Sequence, residues 1–168
     1  PQEQIRKYQK IFREAGLNLK VLEIESLSTA RAFSGDPTPT VVVDIGSRST
    51  NMIFLDGGEL KMHAQTDFAG ESLTHALASS LSINPLRAEE LKKERGITAT
   101  GANYELSTLM LPLLDAIINE VKKSLYQYGT QFRAAPKIER AILAGGGANL
   151  KGIEKYFYAS TTWPEMMI

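Results

Sequence analysis

Val41-Val42-Val43-Asp44-Ile45-Gly46-Ser47-Arg48-Ser49-Thr50 decides the reading of this chain once it is set beside Ala141-Ile142-Leu143-Ala144-Gly145-Gly146-Gly147-Ala148, about a hundred residues later. Each is a short run of apolar, mostly branched residues ending in a glycine-rich turn. The runs read as buried strands. Glycine in the turn lets the main chain come close to a phosphate or a ring. Asp44 stands at a strand end two residues before Gly46, with small or hydroxylated residues after it. That pattern suits a hairpin whose amides and hydroxyls face phosphate oxygens, with Asp44 holding Mg²⁺ through water. It suits equally a hairpin whose Asp and Ser satisfy their own turn backbone. The second turn could let an adenine or ribose lie against main chain, or could be a tight strand-to-helix connection.

Outward from these turns, strands and helices alternate. Met52–Leu55 reads as a strand joined through Asp56-Gly57-Gly58 to another at Leu60–Ala64. Gly70 to Leu81 reads as a helix, and Pro85 to Lys93 as a second with Asn84 as its cap. Tyr104 to Tyr128 reads as a long amphipathic third, with Leu106, Leu109, Leu113, Ile117, Val121 and Leu125 along one face. Ile138–Ala144 is the strand before the second turn and Leu150–Tyr158 a helix after it. Upstream, Gln4 to Ala15 has helical spacing and stops at Gly16, and residues 19–24 read as a strand. Residues 25–33 form a helix with small residues on one side, and Ser34-Gly35-Asp36-Pro37-Thr38-Pro39 is a linker. The last eight residues show no period. The abrupt start and this tail suggest a piece of a longer protein.

Composition narrows the function classes. The 168 residues are 43% hydrophobic, enough to bury a real core as one domain. Lys and Arg number 19 and Asp and Glu 19, so no overall field favours nucleic acid or acidic lipid. Cysteine is absent, which excludes disulfides and thiolate chemistry and fits a reducing cytosol. No apolar stretch reaches the roughly 18 residues of a membrane span. A soluble cytoplasmic α/β domain is the expectation.

Glu89 and Lys92 share a face of the second middle helix. They could reach a ligand's hydroxyls together, or pair with each other on a solvated surface. His63 and His75 lack Cys or acidic partners at metal spacing and read as structural or surface residues. No Ser/His/Asp or Cys/His arrangement is present, and the basic residues are not interleaved with aromatics, so nucleic-acid binding has little support.

Together the motifs resemble the second half of an actin-like ATPase of the superfamily that holds the heat-shock chaperones, actin, FtsA and PilM. Glu25-Ser26-Leu27-Ser28-Thr29-Ala30-Arg31-Ala32 resembles the first crossing helix. Asp44 to Thr50 resembles the second phosphate motif, and Gly145-Gly146-Gly147-Ala148-Asn149-Leu150 the adenosine motif. Ala69-Gly70-Glu71-Ser72-Leu73-Thr74-His75-Ala76-Leu77, Ala88-Glu89-Glu90-Leu91-Lys92 and 144–152 follow, in order, the pattern of the PilM family of cytoplasmic type IV pilus assembly proteins.

The resemblance implies an α/β fold: a ribonuclease-H-like lobe with a mixed sheet and flanking helices. Residues 1–35 would end the first lobe with the crossing helix. Residues 40–168 would form the second lobe, with a helical subdomain at about 73–128. It implies ATP and Mg²⁺ as ligands. Asp44 would hold Mg²⁺ through water; Gly46, Ser47, Ser49 and Thr50 would line the phosphates, and Gly70 would approach them from the other side. Glu89 and Lys92 would contact the ribose, Gly145, Gly146, Gly147 and Ala148 the adenine. Glu25 matches an acidic position that polarises the attacking water in the chaperones. Arg48 departs from the small residue common at its position. No first phosphate motif precedes Gln4, and no second crossing helix is evident after the adenosine motif, so weak or absent ATP binding is expected of these residues alone. The implied role is a cytoplasmic ATP-binding scaffold, at best a slow ATPase, at the inner membrane, with a PilN-like cytoplasmic peptide as partner and self-association possible. An FtsA-like division protein that tethers to the membrane, or a small-molecule kinase of the same superfamily, are the alternatives.

Overall fold

The computed structural model of the chain describes residues 2–97, 104–161 and 165–167. Branched aliphatic residues favour the pleated, half-buried surface of a sheet, and the two runs that open the sequence argument lie side by side within it. Strand β1 (Thr40–Ile45) pairs antiparallel with β2 (Thr50–Asp56) and parallel with β4 (Arg140–Ala144). The sheet is five-stranded and mixed, in the order β3-β2-β1-β4-β5, with β3 at Glu59–Thr66 and β5 at Glu165–Met167. Gly57 and Gly58 both have positive φ, 61° and 75°, and Asp56 pairs with Glu59. This is the two-residue turn whose twist matches the flanking strands.

Side chains alternate between the two faces of each strand. Val41, Val43 and Ile45, with Met52 and Phe54, face the helical side and share one core with Met110, Leu114, Ile117 and Val121 of α5 (Tyr104–Gln131). Val42, Ile53 and Leu55 face the other way, onto Ala30 of α2 (Glu25–Ala32). Ser26 and Ala30, one helical turn apart, are the buried residues of α2. The small-residue face expected there therefore lies on the sheet.

Helix α3 spans Gly70–Leu81, and α4 spans Pro85–Arg95 with Pro85 in its first turn. The Asn84 side chain caps α4 by accepting from the Arg87 amide at 2.8 Å. A one-turn 3₁₀ helix, Gly146–Asn149, and α6 (Ile153–Ser160) follow β4, in place of one helix from Leu150. Gly152, with φ 87°, separates the two. The linker before β1 is fixed to the start of β4: Arg140 bonds the Asp36 carboxylate and donates to the Thr40 hydroxyl at 3.1 Å. The Arg140 guanidinium and then the Thr38 amide and hydroxyl hold the Asp36 carboxyl down at about 2.

The strand expected upstream of α2 does not form: residues 19–24 are in no strand. They have no partner strand among the described residues, and Val21 is 72% exposed, with Leu22 and Ile24 also exposed. Helix α1 (Gln2–Glu14), which precedes them, buries no residue. On α5 the expected face holds: Ile117 and Val121 are in the core and Leu106, Leu109, Leu113 and Leu125 pack against it, with Met110, Leu114 and Ile118 buried beside them. Of the tail, which shows no period, 165–167 lie beside β4; 162–164 and 168 lie outside the described residues. Among the described residues no helix is long and apolar enough to cross a membrane.

Candidate functional site

Parallel pairing decides where the two turns end up. With Asp44 opposite Ala144 in the β1–β4 register, both chains leave the sheet at the same edge. Ligands of α/β sheets bind outside strand ends of this kind. The turns then stack on each other. Gly145 has φ 77° and ψ 179°, a conformation essentially confined to glycine. A Cβ there would come within 2.6 Å of the Ile45 carbonyl oxygen and closer still to the Asp44 carboxylate. A Cβ on Gly147 would lie 2.6 Å from the Ile45 Cβ. Gly146, between them, has nothing within 4 Å of where its Cβ would be. Two of the three glycines serve the packing of one turn on the other, and the middle one faces open space.

That space is a cavity of ≈ 680 Å³ to which Gly46, Ser47, Gly70, Glu89, Lys92, Gly146 and Gly147 all contribute. Sites for small molecules commonly measure about 300–1,000 Å³. The first turn is closed by the Gly46 amide donating to the Ser49 carbonyl at 3.0 Å. It is tied to the start of α3 by two further backbone bonds, from the Gly70 amide to Gly46 O at 3.0 Å and from the Glu71 amide to Ser47 O at 2.7 Å. The Ser47 hydroxyl donates to Glu71 at 2.9 Å. Gly70 packs close to this turn, since a Cβ there would sit 3.1 Å from Gly46 O.

Helix α4 supplies the far wall. Lys92 Nζ lies 2.9 Å from Gly70 O, 2.8 Å from Thr74 Oγ1 and 2.6 Å from Glu89 Oε2. An ammonium has three protons, so all its donors are spent within the protein, and its side chain is only 11% exposed. Lys92 thus joins α4 to α3 and leaves no proton for a ribose. Glu89 accepts from the Thr74 hydroxyl at 2.5 Å, and its other oxygen is 3.3 Å from Lys93 Nζ. Burial pushes the Glu89 carboxyl up, but the bonds from Lys92 and Thr74 and the Lys92 charge outweigh it and bring it to about 2. Glu89 therefore stays ionised on the cavity wall. Lys151 secures the end of α4, donating to Glu94 O at 2.8 Å while its own carbonyl accepts from Ile97.

The remaining sequence-predicted residues stand outside the cavity lining. Asp44 is half-buried at the strand end beside Gly145, on the α2 side of the sheet by alternation with Val43. Thr50 is fully buried and donates its hydroxyl to Phe68 O at 2.7 Å, so it braces the turn from behind. Ser49 gives its carbonyl to Gly46, and Ala148 is buried beneath the 3₁₀ turn. Glu25, exposed at the start of α2, accepts from Asn51 Nδ2 at 3.5 Å, and Asn51 Oδ1 lies 3.2 Å from His63 Nε2. Asn51 is the register neighbour of Asp44. Thr74, the centre of the Lys92–Glu89 contacts, was not singled out from the sequence; its spacing of four from Gly70 was the available signal.

A single half-buried carboxylate at a strand end suits Mg²⁺, which keeps most of its waters and takes one or two carboxylates beside substrate phosphates. Among the described residues there is no group of three or more His, Cys, Asp or Glu that would form a metal cage by itself. With the open space above Gly146, the residues present fit a nucleotide with a water-bound cation.

Comparison with known proteins gives concordant results. A family model described as type IV pilus assembly protein PilM matches residues 1–168. No curated protein matches the chain. Among solved structures, the PilM-PilN type IV pilus biogenesis complex is similar with a TM-score of 0.78 and 24% identity, over 99% of this chain and 48% of that one. MreB 5 of Spiroplasma citri bound to AMPPNP is similar with a TM-score of 0.78 and 17% identity, over 99% and 60%. The ethanolamine utilization protein EutJ from Carboxydothermus hydrogenoformans follows with 0.73 and 23%, over 94% and 54%. The fold is thus the actin-like one expected, and the chain spans 48% to 60% of the length of these structures.

Proposed function

The chain belongs to the PilM family of type IV pilus assembly proteins, and from that premise we propose that it supplies the second lobe of a nucleotide-dependent scaffold. ATP is the proposed ligand, with its adenosine over Gly146 and Gly147 and its phosphates toward Gly46 and Ser47. Asp44 would hold the water shell of Mg²⁺, which when bound offsets phosphate charge. Glu89 presents the acceptor to the sugar edge while Lys92 holds that wall in place. Glu25 stands as the proposed water-polarising carboxylate, oriented by Asn51. The observation that carries this reading is the joint contribution of both glycine turns to one cavity, with the middle glycine left bare.

The proposed setting is the cytoplasmic face of the inner membrane, reached through a partner. A PilN-like cytoplasmic peptide is the partner proposed, supported by the likeness to a complex that contains PilN. Calorimetric titration of the full-length protein with Mg·ATP tests the nucleotide role. Asp44→Ala should lower affinity by about 10–100-fold or more, the usual loss when one metal-orienting group is removed, with an unchanged melting temperature. Equal affinity in mutant and wild type would reduce the first turn to a structural hairpin.

A further inference from the structure

At the end of β4 away from the nucleotide turns, the last turns of α5 and the chain entering β4 enclose a second cavity of ≈ 570 Å³. Leu125, Phe132 and Ile138 give it an apolar floor. Lys122, Arg133 and Lys137 stand around it, and no Asp or Glu is among its described lining residues. None of the three cations has an ion-pair partner among the described residues. In a chain of zero formal charge this is a local surplus. Cations just past a helix C-terminus complement the helix dipole, which accounts for Arg133, close behind the end of α5 at Gln131. It does not account for Lys122, roughly two and a half turns inside α5.

Gly129 is the second observation. Glycine inside a helix costs backbone entropy that alanine would not. A Cβ at Gly129 would meet nothing within 4 Å, so nothing among the described residues calls for glycine there. Yet Gly129 opens onto the cavity. A bare helix surface at such a point permits close approach by another backbone. Lys122, Leu125, Gly129 and Phe132 recur at helical spacing and so present one face.

Tyr128 is the third. It is 3% exposed, lines the cavity and stacks on Phe54 with ring centroids 5.1 Å apart. Its hydroxyl is buried and has no hydrogen-bond partner among the described residues. The hydroxyl is covered from the cavity and lies under the charges of Asp56 and Lys61 on the β2–β3 hairpin, so Tyr128 offers the cavity its ring and not its polar atom.

We propose that this cavity docks a short extended peptide segment in which a carboxylate neighbours an apolar side chain. The apolar group enters among Leu125, Phe132 and Ile138; the carboxylate meets Lys122, Arg133 and Lys137; the peptide backbone lies across Gly129. This site is separate from the nucleotide cleft and does not depend on it.

The test is fluorescence anisotropy of the full-length protein with two labelled octapeptides, one alternating Glu with Leu and the other Lys with Leu. The Glu-Leu peptide should bind at least tenfold more tightly than its Lys-Leu counterpart. Gly129→Leu and Lys122→Glu should each weaken it tenfold or more, while Gly129→Ala melts at the wild-type temperature or above. Mg·ATP affinity, measured on the same variants, should not move, so failure here and failure at the nucleotide cleft are read separately. Equal binding of the two peptides, or binding indifferent to Gly129→Leu and Lys122→Glu, overturns the proposal. So does a lower melting temperature for Gly129→Ala, which would make the glycine a packing requirement.

Discussion

Adjacent glycines in the second turn should respond oppositely to the same methyl group. In Gly147→Ala the new Cβ would lie 2.6 Å from the Ile45 Cβ, against an ordinary carbon contact of roughly 3.5–4.0 Å. The overlap is on the order of 1 Å. Ile45 is fully buried, and its branched side chain has little rotamer freedom with which to yield. The turns must separate or the core must shift, a form of overpacking that costs about 1–3 kcal/mol. For a domain of 168 residues, each kcal/mol moves the melting temperature by about 2–4 °C, so a fall of roughly 2–12 °C is expected. Gly146→Ala meets open space and needs no left-handed backbone. It should gain about 0.4–1 kcal/mol by restricting the unfolded chain, yet weaken Mg·ATP because the methyl enters the cavity. Thermal unfolding by circular dichroism, with calorimetric Mg·ATP titration of both variants, gives the two readouts. Equal melting temperatures for the two variants, or a Gly146→Ala that is the less stable, would refute the stacked-turn argument.

Lys92→Met should destabilise the cavity wall by about 1.5–3 kcal/mol, the scale of losing a hydrogen bond to a charged group, as read by urea unfolding. Because the folded Glu89 carboxyl is depressed to about 2, its contribution is complete above pH 4.5 and fades as pH falls toward 2; in Lys92→Met NMR titration should find the Glu89 carboxyl nearer its ordinary range, and an unmoved titration would contradict the assignment. Tyr156 donates to Asp115 at 2.5 Å, and burial first, then this carboxylate, raises its phenol to about 12. The contribution is therefore full below about pH 10 and lost as pH rises through about 12. Tyr156→Phe should cost about 0.5–1.5 kcal/mol at neutral pH and remove that alkaline phase from the unfolding profile.

What could be read from the sequence was what is specified locally. Gly57-Gly58 fixes a hairpin within four residues, and Asn84-Pro85 fixes a helix start in two, so β2, β3, α3 and α4 appear where their residues indicate. The strand expected at 19–24 had the right residue types but no edge to pair with among the described residues, and propensity alone does not hold a strand. On α5, a helix of 28 residues, the period was right, and the residues the spacing left out, Met110, Leu114 and Ile118, widen the buried face that it marked. The cavity shows the same division. The glycine turns announced themselves, but Lys92 spends its protons on Gly70, Thr74 and Glu89, and two of those acceptors lie about twenty residues upstream. No spacing rule along one helix reveals a saturated donor.

The parallel pairing of β1 with β4 also has a consequence in time. Thr40 and Arg140, joined side chain to side chain, are 100 positions apart, whereas β2 meets β1 and β3 meets β2 through short connections. At a synthesis rate of about 5–20 residues per second, β1 emerges roughly 5–20 s before its parallel neighbour. Throughout that interval the Val41-Val42-Val43 edge is bare, and bare apolar edges recruit other strands. The two turns that make the cleft flank this late contact, so the cleft cannot exist before the edge is closed. A nucleotide that binds there would select chains whose vulnerable strand has already been covered.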